Sequence, residues 1–144
     1  MIEVSVLKVK DIMSKDIASL SSDDSIERAA QLMKQYDVGS IPVCSQEKVI
    51  GMVTDRDIAL RSTAEGRNSK QQKVSEIMSS NPIVGSPDMD VDEAAKIMSR
   101  RQIRRLPIVD HNNLIGIVAL GDISVEPDLQ DSAEQALKNI SQPR

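Results

Sequence analysis

Val9-Lys10-Asp11-Ile12-Met13-Ser14 and Val74-Ser75-Glu76-Ile77-Met78-Ser79 are one phrase written twice, 65 residues apart. The offset holds without a gap from Val9 to Ile58 against Val74 to Ile123, and fifteen of the fifty aligned positions are identical. They include Ile12/Ile77, Met13/Met78, Ala29-Ala30/Ala94-Ala95, Met33/Met98, Pro42/Pro107, Ile50-Gly51/Ile115-Gly116, Val53/Val118 and Asp57/Asp122. A register kept this long is an internal duplication, so the fold is built from two similar units.

Each copy carries the same run of element signals. A helical turn (Val9 to Met13; Val74 to Met78) leads to an extended piece around Ile17-Ala18, or Ile83-Val84 after Pro82, whose ring disfavours helix. Ile26, Ala29, Ala30 and Met33, and then Val91, Ala94, Ala95 and Met98, recur at the period of a buried helical stripe. Asp24 or Ser25 is placed to cap the first helix, and Asp90 with Glu93 the second. Two short strands follow, Ile41–Cys44 and Val49–Thr54, then Leu106–Val109 and Leu114–Ala119, each pair joined by a polar turn. A last helix starts at Thr54-Asp55-Arg56-Asp57, or at Leu120-Gly121-Asp122. The expectation is an α+β fold of two β-α-β-β-α units, packed sheet to sheet about a pseudo-twofold axis because about 50 residues bury a sheet poorly alone. Residues 1–65 make the first repeat, 66–73 a surface linker, 74–126 the second repeat, and 127–144 a C-terminal helix and tail. In the last of these, Leu129, Ala133, Ala136, Leu137 and Ile140 share a face.

Composition narrows the function. A chain of 144 residues can bury about 70% of its unfolded surface. It has one cysteine, Cys44, and hence no internal disulfide; a reducing cytoplasm is the expected setting, with Cys44 a buried small hydrophobe. Its N-terminus alternates apolar and charged residues, unlike a signal peptide or membrane span. With 22 acidic and 18 basic residues, net charge -4, the surface is not built mainly for phosphate backbones or anionic lipid. Tyr36 is the one Tyr, and Phe and Trp are absent, so the core is aliphatic and base-stacking platforms for single strands are missing.

Enzyme chemistry finds little support. His111, the single histidine, lies in the polar turn Asp110-His111-Asn112-Asn113, without the companions a metal site needs. There is no catalytic triad order, Walker loop or Cys-x-x-Cys. The acidic groups Asp23-Asp24 and Asp90, Asp92, Glu93 stand at helix starts, where the dipole explains them. No catalytic and no metal-binding residue is assigned.

In order and in duplicate, these motifs resemble the tandem CBS domains, named after cystathionine beta-synthase, whose paired form is called a Bateman module. The resemblance runs from about Val9 to Ile123. The family implies a non-catalytic sensor that binds adenosyl ligands, AMP, ADP or ATP and less often S-adenosylmethionine or NAD, in clefts between the repeats. Gly51-Met52-Val53-Thr54-Asp55-Arg56-Asp57 matches its ribose pattern in full, which implies Thr54 and Asp57 as ribose ligands. Gly116-Ile117-Val118-Ala119-Leu120-Gly121-Asp122 keeps the acid, Asp122, but has Ala119 in place of Thr or Ser, so a weaker or empty second cleft is expected. By the same resemblance Arg104 and Arg105, which precede Leu106-Pro107, face phosphates, where Gly39 and Ser40 stand in the first copy. Adenine is expected along Ile17, Ala18, Ile83 and Val84, with Val38 and Ile103 as apolar walls. The family also implies a homodimer paired through its helices, with the signal read by an effector protein in trans. The alternative is a dimeric structural or stress-related interaction protein that binds no ligand. Nucleic-acid binding through Arg100 to Arg105 is set aside on the acidic balance.

Overall fold

The computed structural model describes residues 7–126 and 129–143. Pro127 and Asp128, where the expected C-terminal segment opens, lie outside the described residues, as do Met1 to Val6 of the alternating N-terminus. In chain order come α1 (Val9–Ile12), β1 (Leu20–Ser21), α2 (Ile26–Tyr36), β2 (Ser40–Ser45), β3 (Lys48–Thr54) and α3 (Asp55–Asp57), which runs on as a π-helix (Ile58–Thr63). A 3₁₀ turn (Val74–Glu76), β4 (Ser79–Ser80), α4 (Val91–Arg101), β5 (Arg105–Asp110), β6 (Asn113–Ala119), α5 (Leu120–Ser124) and α6 (Gln130–Ile140) complete it. The doubled α+β order is as expected, but the extended piece expected at Ile17-Ala18 pairs further on as β1, and the one expected at Ile83-Val84 gives only the single parallel bridge of Gly85 to Ile108.

Local signals act alike in the two copies. Helices α2 and α4 end where Asp37 and Gln102, both at φ 55°, turn left-handed. The hairpin turns use Gln46-Glu47 (φ 52° and 70°) and His111-Asn112 (φ 51° and 69°), the doubly positive geometry whose twist matches a two-residue hairpin. Capping differs from expectation at one helix. Ser25 Oγ accepts from Arg28 N at 3.1 Å, but Asp90 does not cap α4 through its side chain. Its carboxylate accepts from Lys8 Nζ at 2.6 Å instead. Cys44 is half-buried at a β-bulge rather than fully buried, and burial pushes its thiol pKa up.

The chain divides into two compact bodies whose membership crosses the repeats. One comprises Ala18–Pro82 with Asn112–Leu114. Its sheet pairs β1 parallel to β2, β2 antiparallel to β3, and β3 antiparallel to β4. The other comprises the described residues of Met1–Ile17, Ile83–His111 and Ile115–Arg144, with β5 beside β6. Thus the lead segment of each copy completes the core of the other. Val9, fully buried, packs with Val91, Met98 and Ile123; Val74, also fully buried, packs with Ile26, Met33 and Val53. The backbone bonds are repeat-equivalent: Val9 N donates to Met89 O at 2.9 Å, and Val74 N to Asp24 O at 2.8 Å.

Two segments add to this plan. The stretch expected as a surface linker turns at Gly66 (φ 67°), then docks on α2. Ser69 O and Gln72 O accept from Glu27 N and Ile26 N, both at 3.0 Å, satisfying free N–H groups of the helix start. The Gln72 side chain is buried. In the other body, α6 lies on α4 with Ala133 and Ala136 in the core, held by Ser132 Oγ to Asp92 Oδ1 at 2.7 Å and Asn139 Nδ2 to Ser99 Oγ at 2.6 Å. The consequence shows in the duplicated alanines: Ala95 on α4 is buried, while its counterpart Ala30 on α2 is exposed.

Gly51 and Gly116 are the tightest points. A Cβ on Gly51 would lie 2.5 Å from Met78 Sδ and 3.0 Å from Ser79 O; on Gly116 it would lie 2.6 Å from Met13 Sδ and 3.0 Å from Ser14 O. Alanine at either position therefore overpacks the seat of a lead segment, and urea unfolding is expected to show a loss of about 1–3 kcal/mol. Gly121→Ala, where nothing lies within 4 Å, should be neutral or slightly stabilising in the same assay.

Candidate functional site

The site is built where a buried strand turns into a helix. Val53 is fully buried at the end of β3, so the next residues emerge at the edge of the body. Thr54 leaves the strand at φ -111°, ψ 161°, the extended conformation of an N-cap. Its Oγ1 accepts from Asp57 N at 3.0 Å, and Asp57 Oδ2 accepts from Thr54 N at 2.9 Å. This reciprocal pair is a capping box. It fixes the Asp57 rotamer, with the side chain only 14% exposed, and leaves Oδ1 facing Arg61 Nε at 3.9 Å. The Arg61 guanidinium is itself anchored by donating from Nη1 to Ile77 O at 3.1 Å.

Strand register brings a second hydroxyl to this corner. Ser40 on β2 is paired with Thr54, and Asp55 N donates to Gly39 O at 2.9 Å. Ala18, buried, and Val38, half-buried, belong to the core of the same body. The structure thus brings Thr54, Asp57, Ala18 and Val38 into one body, with Ser40 and Arg61 as members that motif reading passed over. The signal for Arg61 was present in the sequence, four residues after Asp57 and one helical turn on; that for Ser40 was not, since a turn centred on Gln46-Glu47 alone would set it opposite Val53, and only the extra residue Ile50 in β3 brings it opposite Thr54.

The second copy has the same backbone and a different lining. Leu120 N donates to Arg104 O at 2.8 Å, and Asp122 Oδ2 accepts from Ala119 N at 2.9 Å. The carboxylate half of the box survives, while Ala119 offers no oxygen to Asp122 N. Arg104 is exposed and Arg105 half-buried. Burial pushes the Arg105 guanidinium below its ordinary pKa, and the Asp122 carboxylate acts in the opposite direction. Ile83 and Ile103 pack against this core; Ile17 and Val84 are half-buried in the same body. The expected adenine-binding pair Ile17-Ala18 therefore straddles the division of the chain.

The CBS domain family matches residues 9–62 and 74–128. The chain belongs to the CBS domain family. Its relatives include the CBS domain-containing protein YhcV of Bacillus subtilis (strain 168), 53% identical over 133 residues, covering 92% of this chain and 94% of that one. Hypoxic response protein 1 of Mycobacterium tuberculosis is 28% identical over 116 residues, 80% of this chain and 81% of that one. Among solved structures, the CBS domain pair of protein MJ0100, in complex with 5-methylthioadenosine and S-adenosyl-L-methionine, superposes with a TM-score of 0.72 at 34% identity, covering 83% of this chain and 94% of that chain. Both copies in this chain have the strand-to-helix carboxylate, Asp57 or Asp122, and a glycine six residues before it, Gly51 or Gly116. Among the described residues no helix is long and apolar enough to cross a membrane, and no three His, Cys, Asp or Glu are grouped to hold a metal ion.

The half-box in the second copy offers a direct test of local energetics. Ala119→Thr restores the missing acceptor and is expected to raise stability by up to about 1 kcal/mol, whereas Thr54→Ala removes it from the first copy and costs about the same. Chemical denaturation of the two variants reads both signs.

Proposed function

We propose that the protein is a non-catalytic regulatory module that binds an adenosyl ligand of the AMP, ADP or ATP class and passes its state to an effector in trans. The observation that carries this reading is the Asp57 carboxylate: one oxygen is spent on the Thr54 N–H, which orients it, and the other is free of backbone partners. A carboxylate held this way accepts from two adjacent ribose hydroxyls, and Thr54 and Ser40 add hydroxyls beside it. In the second copy Asp122 takes the ribose role, with Arg104 and Arg105 toward phosphate. Ile17, Ala18, Val38, Ile83, Val84 and Ile103 supply apolar surface and backbone groups for adenine. The 5-methylthioadenosine and S-adenosyl-L-methionine named for the related CBS pair support an adenosyl ligand.

The reading includes a homodimer through the helices that follow each strand-to-helix corner. Leu60 and Val125 are repeat-equivalent and are, with Leu137, the exposed large hydrophobic side chains among the described residues. Leu60→Asp is expected to weaken self-association at least tenfold in sedimentation equilibrium, with the monomer still folded by circular dichroism.

A thermal-shift series on the full chain with AMP, ATP, S-adenosylmethionine and NAD tests ligand binding. At a hundredfold excess over Kd a ligand adds about 2.7 kcal/mol, a rise of several degrees for a chain of this size. Asp57→Asn keeps one acceptor for Thr54 N–H and turns the other oxygen into a donor; it should cut affinity at the first-repeat site at least tenfold. The second reading, a dimeric interaction or stress-related protein without ligand, is favoured by the fact that capping already accounts for Asp57 and Asp122. Absence of a shift with all four compounds would establish it over the first.

A further inference from the structure

One arginine ties the first corner to the lead segment seated beside it. Arg61 follows Asp57 by one helical turn, within the π-helix Ile58–Thr63, a geometry that is rare in general and frequent at functional sites. Its Nε faces Asp57 Oδ1 at 3.9 Å, and its Nη1 donates to Ile77 O at 3.1 Å. Ile77 is buried and closes the 3₁₀ turn Val74–Glu76. Met78 follows it, with its sulfur in the space that a Cβ on Gly51 would need. Asp57, Arg61 and Ile77 all belong to one body. In the other body the repeat-equivalent of Arg61 is Glu126, whose carboxylate has no proton to give to Ile12 O, and the helix there is the ordinary α5.

The two ends of this link compete with a ligand in a definite way. Asp57 Oδ2 is occupied by Thr54 N at 2.9 Å, so Oδ1 is the oxygen that Arg61 and a ribose hydroxyl must share. Hydroxyl donors on Oδ1 take up its lone pairs and spread the charge that attracts the guanidinium. At 3.9 Å the Arg61 contact is an attraction between charges rather than a hydrogen bond, and an exposed pair of this kind is weak enough to give way. The Arg61 side chain is 56% exposed, so water receives the guanidinium once the carboxylate is engaged. Ile77 O then loses its donor, and the lead segment loses a tie at the end of its turn.

We infer that Arg61 is a positioning residue that couples ligand binding at the first corner to the lead segment of the second repeat: it clasps Asp57 to Ile77, and an adenosyl ligand that engages Asp57 slackens the clasp. Coupling between two equilibria is reciprocal. The intact clasp therefore holds ligand affinity down, and breaking it raises affinity. With Glu126 in the equivalent place, the second corner has no such link to its own lead segment. Occupancy of the first corner is thus the one that is read in the packing of a lead segment. This inference rests on the adenosyl reading above.

Amide hydrogen exchange and isothermal titration calorimetry of the full chain with AMP test it, using Arg61→Met, which removes charge and donors, and Arg61→Lys, which keeps the charge. The reporters are Ile77 N and Met78 N, which donate to Val74 O at 3.1 and 3.0 Å; the reference is Met13 N, which donates to Val9 O at 2.9 Å in the other body. Saturating AMP should speed exchange at the reporters relative to Met13 by about threefold, the size that an exposed ion pair supports. Arg61→Met should show the faster exchange without AMP, lose the response to AMP, and bind AMP about threefold more tightly at the site that Asp57→Asn weakens. Arg61→Lys should lie between this variant and the wild type. A residue that only props the fold would weaken binding on removal. Should Arg61→Met perturb folding by circular dichroism, the uncharged Arg61→Gln carries the same readouts. Wild-type binding of AMP with unchanged exchange at Met78, or an AMP affinity that is lowered or unchanged in the uncharged variant, would overturn the coupling and leave the adenosyl reading standing. Failure of the wild type to bind AMP would overturn the nucleotide reading and the coupling with it.

Discussion

The seat of a methionine sulfur over a glycine holds the arrangement together. At Gly51 and again at Gly116 the lead segment of the opposite copy comes so close that a methyl group would overlap the thioether and press on a backbone carbonyl. Only a residue without Cβ allows that approach. Around each contact the chain forms short antiparallel pairings, Gly51 with Ser80 and Ser14 with Ile117, and the leading valine of the same segment is driven fully into the core. Burying such a valine contributes about 1.5–3 kcal/mol. Each copy is too small to close its own core, and the exchange of lead segments supplies the missing apolar surface.

The corner that follows each of these glycines inherits its position from that packing. Because β3 and β6 are pinned by their buried valines, Thr54 and Ala119 emerge at fixed points, and the chain must enter a helix at once. The carboxylate three residues on serves that turn by accepting from the backbone N–H of the cap position. Such a group is oriented before any ligand arrives, so less ordering is left for binding to supply. Capping takes one oxygen of this carboxylate, which leaves the other for the ligand contact proposed above.

Duplication supplied two equal corners, and the differences between the corners themselves lie in side chains. α6 covers α4, and the corner beside it carries Arg105 and Ala119; the body of α2 has its exposed Ala30 and a corner lined by Ser40, Thr54 and Arg61. The backbone bonds that define the two corners differ by only 0.1 Å, 2.9 Å at Gly39 O and 2.8 Å at Arg104 O. Chemical divergence has thus been confined to groups that can change without moving the frame.

The duplication, the element order and the strand-to-helix carboxylates were legible in the chain, because apolar periodicity and turn chemistry are local and repeat at a constant offset. Ser25 as a cap was equally readable, since its oxygen needs only a backbone N–H three residues away. Asp90 was misread because a lysine distant in sequence, Lys8, competes for its carboxylate, and Cys44 because it stands where Ile50 bulges out of the partner strand β3 and the ladder changes register. What only the tertiary structure decided is which copy each lead segment completes. Val9 and Val74 both follow a lysine and precede Ile-Met by two residues, and a symmetric repeat satisfies the same pattern whether segments stay or exchange. The buried Nε of Arg105, without a hydrogen-bond partner among the described residues, belongs with them: burial of a side chain depends on what other elements bring over it, which no local pattern records.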